Sequence, residues 1–95
     1  MVMKIDDKKE FFLSELIGRM KRGEAVFTLA YYAPEDIFHQ ELLHRKVRGT
    51  LVNYERELGK PYRHRPGCQF VAYWDVEMEE WRTFRIIHLV TEGEA

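Results

Sequence analysis

Apolar side chains near the start of the chain recur at helical spacing and form one stripe: Phe12, Leu13, Leu16, Ile17 and Met20. Asp6 and Asp7 stand before this stripe, where carboxylates can cap the unpaired N–H groups of a first helical turn. Gly23 follows two basic residues, as is typical of a helix C-terminus. The pattern predicts an amphipathic helix over residues 7–21.

The middle of the chain changes to a strand pattern. Residues 25–32, AVFTLAYY, are rich in β-branched and aromatic side chains and predict a strand. Residues 46–53, KVRGTLVN, predict a second strand. Gly49 in the second run marks a bulge or a close approach of the backbone to a neighbour. Between the two runs, a Pro-Glu-Asp opening and apolar residues on one face predict a short helix at about 35–43.

The remainder predicts a loop and a closing hairpin. Residues 54–67 hold two of the three prolines and two glycines, which favours a long exposed loop. Alternating aromatic and β-branched residues predict strands at about 69–76 and 81–87. The stretch from His88 to Thr91 fits a 3₁₀ turn or a last short strand.

A four-residue turn over 77–80 fixes the pairing of the hairpin, with Asp75 opposite Arg82 and Tyr73 opposite Phe84. Side chains alternate between the two faces of a strand, so the hairpin residues sort into two sets. The predicted interior set is Val71, Tyr73, Phe84 and Ile86, with an Asp75–Arg82 ion pair at its rim. The predicted outer set is Ala72, Trp74, Val76, Trp81, Thr83 and Arg85. A turn of two or three residues would exchange the faces.

The outer set has two interpretations. Two indoles and the Arg85 guanidinium are groups that stack on a nucleic-acid base or hold a peptide. Alternatively, the N-terminal helix packs on this face, because each buried tryptophan removes about 150–250 Å² from water. On that ground we expect a structural role for at least one of Trp74 and Trp81.

One helix and four or five short strands are too few for a β-sandwich, and closing them into a barrel removes exposed strand edges. A chain of 95 residues has room for one core. We therefore predict a single domain over residues 1–95 with a mainly β (α+β) fold, in which an N-terminal helix precedes a small SH3-like barrel of four or five strands.

The hairpin sequence YWDVEMEEWRTFRIIHL resembles the closing hairpin of WYL domains. It is similar also to small proteins from gut bacteria and their phages that are described only as SH3 β-barrel fold-containing proteins. In those proteins a helix, an F-T-F-like strand and a K-G-T strand precede the hairpin, and here 27–29 and 48–50 correspond to the two strands. The resemblance implies an SH3-like barrel. WYL domains are taken to sense ligands or nucleic acids in regulators; their Trp-Tyr-Leu tripeptide is absent here.

Basic side chains are concentrated in one region of the chain. The net charge is −1, yet residues 45–65 carry seven basic side chains against Glu55 and Glu57. Charged loops of this kind are either simply solvated or bind anions and nucleic acid. The candidate binding residues are therefore Arg45, Lys46, Arg48, Lys60, Arg63 and Arg65, together with Trp74, Trp81 and Arg85 on the hairpin.

Catalytic and metal signatures are weak. The sequence has no glycine-rich phosphate loop, no H-E-x-x-H and no G-x-S-x-G. Cys68 with His64 lacks an orienting carboxylate, and His39, His44, His64 and Cys68 lack the paired spacing of zinc ligands. We expect a non-enzymatic protein without a catalytic site, metal or cofactor.

A single cysteine, no signal-peptide pattern and no apolar run of ~20 residues predict a cytoplasmic protein without membrane contact. The first hypothesis for its function is nucleic-acid binding through the basic residues. The second is a protein-interaction adaptor or inhibitor, encoded by a phage or mobile element, that uses the tryptophans or an open strand edge. Small-molecule sensing is the third, and the sequence leaves the oligomeric state open.

Overall fold

The computed structural model describes residues 5–32 and 42–91, and the side chains from residue 8 onward. Two helices and five strands follow one another along the chain. The elements are α1 (Ile5–Arg22), β1 (Glu24–Tyr32), β2 (Leu42–Thr50), α2 (Tyr54–Leu58), β3 (Phe70–Asp75), β4 (Glu80–Arg85), a 3₁₀ turn (Ile86–His88) and β5 (Leu89–Val90).

The five strands form one antiparallel sheet in the order β4-β3-β2-β1-β5. A helix followed by five strands agrees with the predicted SH3-like α+β fold. The ladder between β2 and β3 is short, because only Gly49 and Thr50 of β2 pair with β3 in the described residues. Beyond Gly49, toward Leu42, β2 therefore has no β3 partner, and the two strands separate.

The core lies between α1 and one face of this sheet. Leu13, Leu16, Ile17 and Met20 of the predicted apolar stripe are buried. They belong to one cluster with alternate strand residues, which are Ala25, Phe27, Leu29, Val47, Val71, Tyr73 and Phe84. Most of the apolar residues predicted for the helix stripe and the hairpin interior thus lie in the core, and Phe12 and Ile86 pack against it partly buried.

Hydrogen bonds join the C-terminus of α1 to the end of β2. The Leu51 N–H donates to the Met20 carbonyl at 2.8 Å, and the Thr50 hydroxyl donates to the Gly23 carbonyl at 2.7 Å. The last carbonyls of a helix have no partner within the helix, so the bond to Met20 satisfies a group that would otherwise be unpaired. They also draw residues 51–53 out of the sheet.

Three predicted elements differ from the structure. The second strand is Leu42–Thr50 rather than 46–53, because Leu51 bonds to α1. Leu42 and Leu43, predicted as the end of a short helix, lie in β2; residues 35–41 of that prediction lie outside the described residues. The segment predicted as a loop begins with α2, which ends at Gly59 in the left-handed conformation (φ 76°).

The hairpin turn is also displaced by one residue from its prediction. It spans 76–79 rather than 77–80, so Trp74 lies opposite Trp81 and Tyr73 opposite Arg82. Asp75 causes the shift, because its Oδ1 accepts the N–H groups of Glu77 and Met78 at 3.1 Å. Each cross-strand partner moves by two residues, an even number. The two faces therefore keep their predicted residues, and only the partners were wrong.

Gly49 has the close neighbours that its position in a strand predicted. A Cβ atom there would lie 2.9 Å from Tyr73 Cδ2 and 3.1 Å from Phe27 Cε1. Both rings are buried and cannot withdraw easily. We expect Gly49→Ala to lower the free energy of unfolding by about 1–3 kcal/mol, measured by urea denaturation.

Gly23 provides the matched control, since a Cβ there would have no atom within 4 Å. Gly23→Ala should leave the urea midpoint near that of the wild type. Equal urea midpoints for the two alanine variants would show that the close contacts at Gly49 do not contribute to the stability of the fold.

Candidate functional site

A cleft of about 680 Å³ opens where β2 separates from the hairpin, beside the buried face of the sheet. Residues of β1 and β2 line one wall, with His88 beside Tyr31, and residues of β3 and β4 line the other. Its basic side chains are Arg45, Arg82, Arg85 and His88, and its aromatic side chains are Tyr31, Tyr32, Phe70, Tyr73 and Phe84. No carboxylate is among the described residues of this lining, so the cleft surface is basic and aromatic.

Asp75 lies at the junction of the two walls and is almost completely buried. Its Oδ2 is 3.6 Å from Arg45 Nη2 and 4.0 Å from Arg82 Nε. One carboxylate thus attracts an arginine from each wall, while its other oxygen holds the turn. The predicted Asp75–Arg82 ion pair is present, but it runs diagonally across the strands, and its carboxylate is buried while the Arg82 side chain is partly exposed.

Glu80 is the second anionic partner of Arg82. Its Oε1 accepts from both Nε and Nη2 of Arg82 at 3.0 Å. This hydrogen bonding raises the pKa of Arg82 above its ordinary value, so the guanidinium keeps its charge. Burial raises the pKa of Tyr73, whose phenol therefore remains a neutral hydrogen-bond donor.

These contacts make the charge of Asp75 important for stability. We expect Asp75→Asn to lower the free energy of unfolding by about 1–3 kcal/mol. The two ion pairs are lost, and the amide oxygen accepts the two backbone N–H groups without charge assistance, while the volume is kept. Urea denaturation measures the change. Glu77→Gln is the control, because it removes a charge from the same turn at an exposed position, and it should change the free energy of unfolding little. Equal losses of stability in the two variants would contradict the special role of Asp75.

Residues 44–90 match the model of the WYL_2 family, described as a Sm-like SH3 β-barrel fold. The match includes β2 from His44 onward, the hairpin and β5, and with them all four basic residues of the cleft. It confirms the SH3-like fold that the hairpin sequence predicted. No curated protein and no solved structure is significantly similar to this chain.

The fold distributes the basic residues predicted from charge over three places. Arg45 lines the cleft, whereas Lys46 and Arg48 are exposed on the opposite face of β2. Arg48 forms an ion pair with Glu24 at 3.4 Å. The other three are exposed on the segment after α2, and these are Lys60, Arg63 and Arg65. Of these six, Arg45 is the one in the cleft lining.

The outer face of the hairpin, which carries Trp74 and Trp81, is covered by α2 and not by the N-terminal helix that the sequence analysis considered. Trp74 and Trp81 meet edge to face, with centroids 5.5 Å apart. Tyr54 of α2 meets Trp81 at 5.7 Å, and Tyr62 meets Tyr54 at 5.0 Å. Trp81 packs against the core, so the expected structural role holds for this tryptophan. The packing comes from α2 and the segment after it, because α1 occupies the interior face.

Arg85 is the hairpin candidate that reaches the cleft. Its guanidinium carbon lies 6.0 Å from the centroid of the Phe70 ring, and both residues contribute to the lining. Sequence reasoning missed His88 and Tyr31 and gave Arg82 only a structural role. One signal was available, because Arg45 has the same strand parity as the buried Val47 and Gly49 and so points to the same face.

The residues considered for zinc or nucleophilic chemistry are not gathered in one place. Cys68 is exposed with its Sγ 3.3 Å from the Phe70 carbonyl oxygen, and His44 is exposed on β2. His39 lies outside the described residues. Over 5–32 and 42–91, no three histidine, cysteine or acidic side chains cluster as metal ligands would. Within the same ranges, no helix has the length and apolar character to cross a membrane.

Proposed function

We propose that this SH3-like domain is a non-enzymatic binding module whose cleft takes single-stranded nucleic acid. The observation that carries the proposal is the lining of the cleft, which combines three arginines and a histidine with five aromatic side chains. Proteins that bind single strands combine the same two features: cations for the phosphates and aromatic rings for the bases.

The charge of the site supports an anionic ligand. Asp75 and Glu80 neutralise part of the charge of Arg45 and Arg82, but Arg85 adds a third guanidinium, so the sum over these groups is positive. The Arg45 and Arg82 side chains are both partly exposed and can contact a phosphate while Asp75 holds them. Arg and phosphate form charge-assisted, often bidentate hydrogen bonds.

The aromatic residues favour a single strand over a duplex. Bases in a duplex are stacked on one another, whereas those of a single strand can turn into a cleft and stack on a tyrosine or phenylalanine ring. Tyr32 and Phe70 are exposed large aromatic residues at this cleft. A base stacked on either ring would bring its phosphate near Arg85 or Arg45.

Fluorescence anisotropy of labelled oligonucleotides tests the proposal. Single-stranded oligonucleotides should bind more tightly than the duplex of the same sequence, and the affinity should fall steeply as salt rises. The absence of salt-sensitive binding at micromolar protein would remove nucleic acid as the ligand.

A protein partner is the second candidate, as an adaptor or inhibitor encoded by a phage or mobile element. It is favoured by the backbone of β2 from Leu42 to Val47, which has no strand partner on the β3 side in the described residues. An extended peptide can add a strand at such an edge. On that reading, hydrogen exchange of these β2 amides would slow with the partner, and oligonucleotides would not bind.

A further inference from the structure

Two carboxylates hold the Arg82 guanidinium in the cleft, and they differ in how easily they can leave it. The Asp75 side chain is 3% exposed, and its Oδ1 also accepts the N–H groups of Glu77 and Met78. The Glu80 side chain is 50% exposed, so it can rotate away from Arg82 into water. Asp75 is therefore the fixed partner of Arg82, and Glu80 is the exchangeable one.

The contact between Glu80 and Arg82 uses the N–H groups that a phosphate would use. Nε and Nη2 of Arg82 both donate to Glu80 Oε1 at 3.0 Å. Arginine presents the same fork of donors to a carboxylate and to a phosphate. An anion that enters the cleft must therefore compete with the Glu80 carboxylate for Arg82.

Arg45 lies close enough to share such an anion. Glu80 is the cross-strand partner of Asp75, and Arg82 lies two residues further along β4, so these three side chains are on one face of the hairpin. Arg45 Nη2 is 3.6 Å and Arg82 Nε is 4.0 Å from the same Asp75 oxygen. The two nitrogens thus lie within about 8 Å of each other, a gap that one phosphate can span with a hydrogen bond of about 2.9 Å at either end. Both arginine side chains are accessible to it, at 41% and 30% exposed.

We infer that Glu80 occupies the phosphate position of the free cleft, and that one phosphodiester of the strand replaces it between Arg82 and Arg45. The inference rests on the proposed nucleic-acid function and adds to it the phosphate subsite and the residue that competes for it. The exchange is easy because an exposed ion pair is weak and because the displaced carboxylate becomes hydrated. Glu80 thus lowers the affinity of the cleft for its own ligand.

Glu80→Gln tests the inference, with the anisotropy of a labelled single-stranded oligonucleotide as the measurement. The variant keeps the size of the side chain and removes the charge that competes with the phosphate. The oligonucleotide should bind about fivefold more tightly, which corresponds to the loss of one exposed ion pair. Glu77→Gln is the matched control, because it removes the same charge from an exposed position in the adjacent turn. Its gain should be about twofold or less, since salt screens charges that do not contact the ligand.

A double-mutant cycle with Arg82 separates competition at this guanidinium from a general effect of net charge. In an Arg82→Gln background, Glu80→Gln has no guanidinium to release. It should then gain no more affinity than Glu77→Gln gains in the same background.

The outcomes also separate this inference from the proposed function. Suppose that the wild type binds the oligonucleotide in a salt-sensitive way. Equal gains for Glu80→Gln and Glu77→Gln, or an undiminished gain for Glu80→Gln without Arg82, would then overturn the inference alone. The absence of salt-sensitive binding by both the wild type and Glu80→Gln would remove the proposed function with it. Tighter binding of a glutamate-rich peptide by Glu80→Gln, with no change for the oligonucleotide, would overturn the inference in favour of a protein ligand that supplies a carboxylate.

Discussion

Replacing Arg45 and Arg82 together by glutamine should weaken the binding of single-stranded oligonucleotides by about 100-fold or more. Each arginine is placed to give one charge-assisted contact to a phosphate, worth about 1.5–3 kcal/mol, and about 3 kcal/mol corresponds to roughly 100-fold in affinity. Anisotropy titrations at several salt concentrations measure the loss. The slope of log affinity against log salt should also fall by about two.

Arg63→Gln with Arg65→Gln is the matched control, because it removes the same charge from exposed positions outside the cleft lining. This variant should keep most of the affinity. A larger loss in the control than in the cleft variant would move the binding surface to the segment after α2. Since Asp75 loses both ion-pair partners in the cleft variant, thermal unfolding must show that it is folded at the temperature of the titration.

Phe84→Ala should lower the free energy of unfolding by about 3–5 kcal/mol, the largest stability change expected for a single core substitution in this hairpin. Phe84 is 4% exposed, and its ring centroid lies 5.2 Å from that of Phe27 and 5.8 Å from that of Tyr73. Small domains are stable by only about 5–15 kcal/mol, so the variant should be near unfolding at room temperature. Urea denaturation followed by tryptophan fluorescence measures it.

Phe70→Ala makes the same chemical change on the same hairpin at a position that is 52% exposed. Its cost should remain below about 1 kcal/mol, because little apolar area returns to water. Similar losses for the two alanine variants would contradict the assignment of Phe84 to the core face and Phe70 to the opposite one. Phe70→Ala should nevertheless weaken oligonucleotide binding, since its ring lines the cleft.

The cleft exists because the sheet is incomplete between β2 and β3. Two residue pairs join these strands, and β2 continues to Leu42 without a β3 partner in the described residues. This separation exposes side chains of the inner face, among them Arg45, that a complete ladder would cover. Asp75, at the point of separation, holds an arginine from each wall. The same feature that weakens the sheet thus creates a basic concave surface.

The helical and strand periods allowed several features to be predicted. The stripe from Phe12 to Met20 faces the core, and the hairpin keeps its two predicted faces although its register differs. A register shift by an even number of residues leaves each side chain on the same face of the sheet, because the period of a strand is two residues. The exact cross-strand partners were not predictable from that period, because the hydrogen bonds of the Asp75 side chain determine where the turn begins.

The amino-acid sequence by itself determined the amphipathic helix, the SH3-like class and the inward direction of Tyr73 and Phe84, because these depend on local periodicity and on a family pattern in one segment. Only the tertiary structure decided that Arg45 and Arg82 meet across Asp75. It also decided that α2, rather than α1, packs against Trp81. Both are contacts between residues that are distant along the chain, and they are fixed by the strand order and by the short β2–β3 ladder. Counting charges along the sequence reveals neither the strand order nor the length of that ladder.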